Sequence, residues 1–300
     1  RCQIKPDVSF LLETIVRPPR VEECTTVYKV FETGAPAIDQ LSFDGFSRWW
    51  NRSRILGDLP SLWRVATIDE QIVGIAINMV LDGLGWGAIW ELAVSPDWRG
   101  KGIGTRLVIE SEKALSEKSS NLTHYVIGVK AHNHRAIPFI ERLGYGIQSM
   151  ILRLDGCINQ GKYKSSLDAK LPRLEQIPIL QHLTPDTYWG LRDQVTLEYA
   201  IRGGHCHVFT EEETNMIVGF ARLETDYELE DATVVTFSFR EGYGKEVVEA
   251  AMNEVPTGNA VFWVQDKHEE ILDHLYTVGF RRAESEYLAK KRIPSVPEEK

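Results

Sequence analysis

Two stretches of this chain are versions of each other. "IVGIA" at Ile72 and "IVGFA" at Ile217 stand 145 residues apart, each inside a two-strand pattern with an acidic turn, 64–80 and 207–224. At an offset of 135, "VIGVKAHN" (126–133) matches "VFWVQDKH" (261–268), and "RLGYG" (142–146) matches "TVGFR" (277–281). Between these lie two glycine-rich turns, "RGKGIG" (99–104) and "REGYG" (240–244). Several matches in one order mean a duplicated fold. A length of 300 residues suits two copies, each too small to need subdivision.

Each copy reads as mixed α and β. Residues 63–68 and 71–81 alternate as a hairpin, and "AIWELAVS" (88–95) reads as a buried strand. Gly104, Leu107, Val108, Ser111, Ala114 and Leu115 form one stripe of a helix over 104–118. A strand over 123–131, a helix over 134–143 between an Asn133 N-cap and a Gly144 C-cap, and a strand over 146–154 complete the first copy. The polar, turn-rich segment 157–174 is expected to link a first domain, 1–156, to a second, 175–293. The first dozen residues and the tail "IPSVPEEK" read as extensions.

The loop "SPDWRGKGIGTRL" (95–107) stands between a strand and a helix. Glycine reaches φ > 0 without a Cβ in the way, so successive N–H groups can point into one concavity. The helix start adds free donors and a positive dipole, and Arg99 and Lys101 add charge. The guest is expected to be a phosphate or diphosphate. A P-loop is excluded because Gly100-Lys101 is followed by Gly102, and a dinucleotide fingerprint because the glycines are spaced GxGxG.

With "ELAVSPDW" before it and an amphipathic helix after it, Arg99-x-x-Gly102-x-Gly104 resembles the acyl-CoA-binding motif of the GNAT acetyltransferase superfamily. "NHRAIPFIERLGYG" (133–146) is similar to that family's segment around a conserved-type asparagine. The resemblance spans about residues 15–154, and the second copy in outline. It implies two tandem GNAT-like domains, each a mixed, partly splayed β-sheet flanked by helices. It also implies acetyl-CoA as co-substrate, with backbone amides of Arg99, Gly100, Lys101, Gly102, Ile103, Gly104 and Thr105 on its diphosphate. Leu92, Ala93 and Val94 would bond the pantetheine like an added strand. Asn133, Ala136 and Phe139 would line its arm.

The family's chemistry moves an acetyl group to a primary amine by direct attack in a ternary complex. A lysine-like amine is about one part in two thousand free base at pH 7, so a base helps. Many members place a tyrosine acid where this chain has Ile140, and some carry a glutamate where it has Gly128. Glu91 remains on the cofactor strand, either as a base acting through water or as a partner for a cation. Trp49, Trp50 and Trp86 fall in segments that cover the acceptor in this family, as an aromatic wall or as packing. His132 and His134 read as loop decoration. The missing tyrosine also fits a rival function, a non-catalytic acyl-CoA sensor or interaction protein. In the second copy, a shorter turn, Glu241, and His268 in the place of Asn133 imply lost cofactor binding.

Composition narrows the partners. A net charge of −9 argues against broad nucleic-acid binding, and no apolar run approaches the ~20 residues that span a bilayer. Cys2, Cys24, Cys157 and Cys206 are scattered, which reads as reduced thiols in a cytoplasm. His205 and His207 flank Cys206 without a third ligand at metal spacing, so no metal is expected.

Overall fold

The structure is a computed structural model that describes residues 14–34, 41–81, 84–185, 194–226 and 232–294. The first dozen residues, Cys2 and most of the tail lie outside these. The chain has a mixed α/β fold of sheet strands flanked by helices, and it packs as two compact units. Residues up to Val80 together with Gly87–Ser120 form one; Leu81–Trp86 together with residues from Asn121 onward form the other.

The first unit runs β1 (Ile15–Arg17), α1 (Cys24–Gly34), α2 (Phe43–Ile55), α3 (Asp58–Ser61), β2 (Arg64–Ile68), β3 (Gln71–Leu81), β4 (Trp86–Val94) and α4 (Ile103–Lys118). Its strands lie side by side in the order β1-β2-β3-β4. The β2–β3 hairpin turns at Asp69 and Glu70, both at positive φ, the mirror-image turn that matches strand twist. The α4 stripe is buried as its spacing requires: Leu107, Val108, Ser111, Ala114 and Leu115 face inward, with Ile103 rather than Gly104 at the top. Gly74 permits that packing. A Cβ there would stand 2.9 Å from Leu107 and 3.3 Å from the Ala93 carbonyl. Gly219, its counterpart in the repeat, meets Val247 of the next helix in the same way. The glycine shared by "IVGIA" and "IVGFA" is therefore a helix-on-strand contact, which is why both copies keep it.

The second unit holds β5 (His124–Lys130), α5 (Ala136–Arg142), β6 (Gly146–Ile158), β7 (Leu167–Lys170), α6 (Ile177–Gln181), β8 (Thr184–Pro185), α7 (Gln194–Arg202), β9 (Cys206–Glu211), β10 (Ile217–Asp226), β11 (Ala232–Phe239), α8 (Gly244–Glu254), β12 (Gly258–Gln265), α9 (Glu269–Thr277) and β13 (Arg281–Arg292). Its strand order is β5-β13-β6-β12-β11-β10-β9-β7. Each copy's last strand thus lies between the strands of the other copy. β13 pairs with β5 (Glu286↔Lys130) and with β6 (Ser285↔Leu152), while β6 pairs on its far side with β12 (Leu154↔Phe262). One face of β6 and β12 joins α8 and α9 in a core around Leu154, Phe262, Val248, Leu275 and Phe280.

Three expectations change here. The strand expected over 146–154 continues to Ile158, because its added residues pair with β12 up to Gly258. The joining segment 157–174 contains an ordered edge strand, β7, paired with β9. Helix α5 begins at Ala136 rather than at residue 134. Asn133 still accepts from the Ala136 N–H through Oδ1 (3.3 Å), and Gly144 ends the helix at φ +88. The Tyr145 and Gly144 amides bond back to Ile140 and Glu141, a Schellman closure.

Candidate functional site

In the first unit β4 leaves its sheet at Val94 and passes through a short 3-10 turn, Pro96–Trp98, into the glycine loop. Gly100 and Gly102 sit at φ +76 and +80, the left-handed region that only glycine adopts without strain. Apart from the chain neighbours, no atom of the described residues lies within 4 Å of where a Cβ would stand on either residue, so the loop's outer side is open space. Gly102 is the N-cap of α4, and with no side chain it cannot cap. The Gly102 carbonyl accepts from Arg106, the first bond of the helix. Among the described residues, the amides from Gly100 to Thr105 have no backbone acceptor. Six successive free donors at a positive helix end, with no acidic residue in the first turn, form a cradle for an anion of diphosphate size.

Arg99 departs from its expected part. Its N–H closes the 3-10 turn on the Pro96 carbonyl (3.2 Å), so the free amides begin at Gly100. Its guanidinium donates to the Val94 carbonyl (3.0 Å) and to the Gly34 carbonyl (2.9 Å), the negative end of α1. Arg99 thus clamps loop, strand and helix together. Lys101 is exposed like Arg99, its ammonium 4.3 Å from the centre of the Trp98 ring.

Leu92, Ala93 and Val94 end β4, and Leu92 and Val94 lean on the core formed by Ile68, Val73 and Leu107. Glu91 is half-buried between Trp90 and Leu92. Trp90 meets Trp49 of α2 edge-on at 6.4 Å, and Trp49 meets Trp63 at 5.6 Å. Of the three tryptophans expected at an acceptor wall, Trp49 is the one that meets Trp90, next to Glu91. Trp50 is 2% exposed and packs on Phe46 and Trp63, so it is core. Trp86 belongs to the second unit, where the Lys290 ammonium sits 3.8 Å from its ring centre. Burial, and then the Lys267 charge, push that ammonium below its usual range. Asn133, Ala136 and Phe139 follow β5 in the second unit, and Ile140 beside them is 1% exposed.

The second copy repeats the arrangement without the cradle. Its turn has one left-handed glycine, Gly242 (φ +87). The Tyr243 amide is taken by the Arg240 carbonyl (3.0 Å), and the Tyr243 hydroxyl donates to Glu211 (2.7 Å). Glu241 stands in the turn and Glu246 in the first turn of α8, both repelling an anion. β11 and β12 pair in parallel only over Thr233–Val235 and Ala260–Phe262. Past that point β12 no longer pairs with β11, and β8 takes its place against Ser238 and Phe239. Those two residues match Ala93 and Val94 in the repeat, so the edge that a pantetheine would use is filled by the chain itself.

The profile of the acetyltransferase (GNAT) family matches residues 25–145. An uncharacterised N-acetyltransferase of Methanocaldococcus jannaschii is 32% identical over 114 residues, which is 36% of this chain and 70% of that protein. A GCN5-related N-acetyltransferase from Sphaerobacter thermophilus has the same fold at 14% identity, with a TM-score of 0.68 over 94% of this chain and 97% of that one. A tandem GNAT protein from the clavulanic acid biosynthesis pathway superposes with a TM-score of 0.58 at 14% identity, over 95% and 100% of the two chains. The family profile covers the segment that carries the glycine loop, and with the curated relative it shows that this chain belongs to the GNAT acetyltransferase family.

Proposed function

We propose that the first copy moves an acetyl group from acetyl-CoA to a primary amine within a ternary complex. The observation that carries this is the run of unbonded amides from Gly100 to Thr105 at the start of α4, which fits a diphosphate. Leu92, Ala93 and Val94 would hold the pantetheine. Lys101 adds charge to the diphosphate, and Glu91 takes the proton from the attacking ammonium, directly or through water. The neutral amine nitrogen then bonds to the thioester carbon, the C–S bond breaks as CoA leaves as thiolate, and the proton shed by the nitrogen passes through water to that thiolate. The acceptor is an amine with Trp49 as one wall of its site.

The copies 1–156 and 175–293, joined by 157–174, are duplicated units of which the second no longer binds acyl-CoA. The free thiols of Cys24, Cys157 and Cys206 favour a cytoplasmic setting. One observation favours the sensor reading. Ile140 fills the tyrosine's place as a core residue, so the departing thiolate has no acid there. The test is CoA release from acetyl-CoA with a mixed panel of amines. Release with at least one amine supports catalysis; saturable acetyl-CoA binding with no release on any of them supports the sensor.

A further inference from the structure

Far along the chain from the glycine loop, the second unit carries a hollow of about 570 Å³ where β7, β9 and the β9–β10 turn meet α6. Small-molecule sites commonly span roughly 300–1,000 Å³. Leu171, Ile179 and Met216 line it and are 64%, 45% and 37% exposed, three of the chain's exposed large apolar side chains gathered at one place. Val208 and Ile217, both buried, supply apolar lining from the sheet. Among the described residues, the charged lining residues are Lys170, Arg173 and Arg240, and no carboxylate lines the hollow with them. In a chain of net charge −9 this is a local reversal of sign.

The cations are positioned by the fold. The Lys170 ammonium donates to Thr210 (3.1 Å) and Asn215 (3.0 Å), with Asp168 at 3.7 Å. Arg240 Nε donates to the Ile217 carbonyl (2.8 Å), and its two Nη groups make no further hydrogen bond among the described residues. Arg173 is exposed. Apolar lining beside two guanidinium forks suits a molecule with an anionic head and an alkyl tail.

We propose that this hollow binds an amphipathic anion, a carboxylate or phosphate joined to a short alkyl chain, at a site separate from the glycine loop. The proposal does not rest on the acetyltransferase reading. The experiment titrates the full chain by calorimetry with octanoate, octyl phosphate, octylamine and octanol. Octanoate, octyl phosphate or both should bind saturably, one site per chain, and octylamine should not. Which of the two anions binds tighter identifies the head group. Arg173→Glu, at an exposed position, should weaken the anion by about tenfold or more, as should Arg240→Ala. Gly102→Ala should leave it unchanged. Octylamine binding as well as the anions, no saturable binding by either anion, or full affinity in Arg173→Glu would each overturn the proposal.

Discussion

Gly102→Ala separates the strain of the glycine loop from its use. At φ +80 an alanine occupies the left-handed region at a cost of about 1–2 kcal/mol. Its Cβ would meet no protein atom within 4 Å, so the fold loses only that conformational term. A loss of this size lowers Tm by roughly 2–8 °C at the 2–4 °C per kcal/mol usual for chains of this size class. Gly57 is a matched control in the same unit, at φ +75 and again with nothing within 4 Å. Gly57→Ala should therefore destabilise the chain by a similar amount. The two variants should differ in ligand affinity alone. In the cradle, a Cβ at residue 102 stands where backbone must approach a diphosphate, and the loss should be at least tenfold in Kd, about 1.4 kcal/mol. Gly57→Ala should bind CoA like the parent. Calorimetry at one temperature below both transitions makes the comparison. Equal CoA affinity in the two folded variants would refute the cradle, whatever their stability.

Glu91→Gln should lower kcat/KM by about a hundredfold or more while CoA affinity holds, measured across pH 6 to 9; wild-type rates would remove Glu91 from the chemistry. Acetyl-CoA titrated into the whole chain should saturate at one site, and two sites of similar affinity would show that the turn at Gly242 works. Gly219→Ala drives a Cβ into Val247 and should cost about 1–3 kcal/mol in urea unfolding, recovered in part by Val247→Ala; no loss would mean the helix can retreat. His207 and His274 are held below the ordinary histidine pKa, first by burial, against the opposing pull of Glu254 and Glu249. Unfolding lets both take up protons, so their contribution is full above the ordinary histidine range and is lost as pH falls through their lowered folded values. Replacing both with glutamine should flatten the Tm-against-pH curve on the acid side of neutrality, and an unchanged slope would sink this assignment.

Periodicity made the elements of both copies legible, because apolar residues at helix or strand spacing report which face is buried. The α4 stripe and the loop before it follow that rule almost residue for residue. The same signal says nothing about which strand lies alongside. The placement of β13 between β5 and β6 was therefore hidden, although both strands alternate clearly. β7 was missed because four residues of exposed edge strand carry no pattern. Arg99 was read from its motif as a cofactor residue. Its guanidinium is spent on two carbonyls within its reach, on Val94 and Gly34. Trp50 and Trp49 are neighbours in sequence, yet α2 turns one into the core and leaves the other half-covered. No composition argument separates them.

The exchange of last strands also fixes the order of events during synthesis. β5 is made early, but the partner on its far edge, Glu286–Arg292, is made only after the rest of the second copy. Until then β5 and β6 both present open edges, the kind of surface that recruits stray strands. Contacts this distant in sequence also slow the search for the native pairing. Completion of the first copy's sheet waits on β13, and a nascent chain stalled or cleaved between the copies would be a target for chaperones rather than a working half.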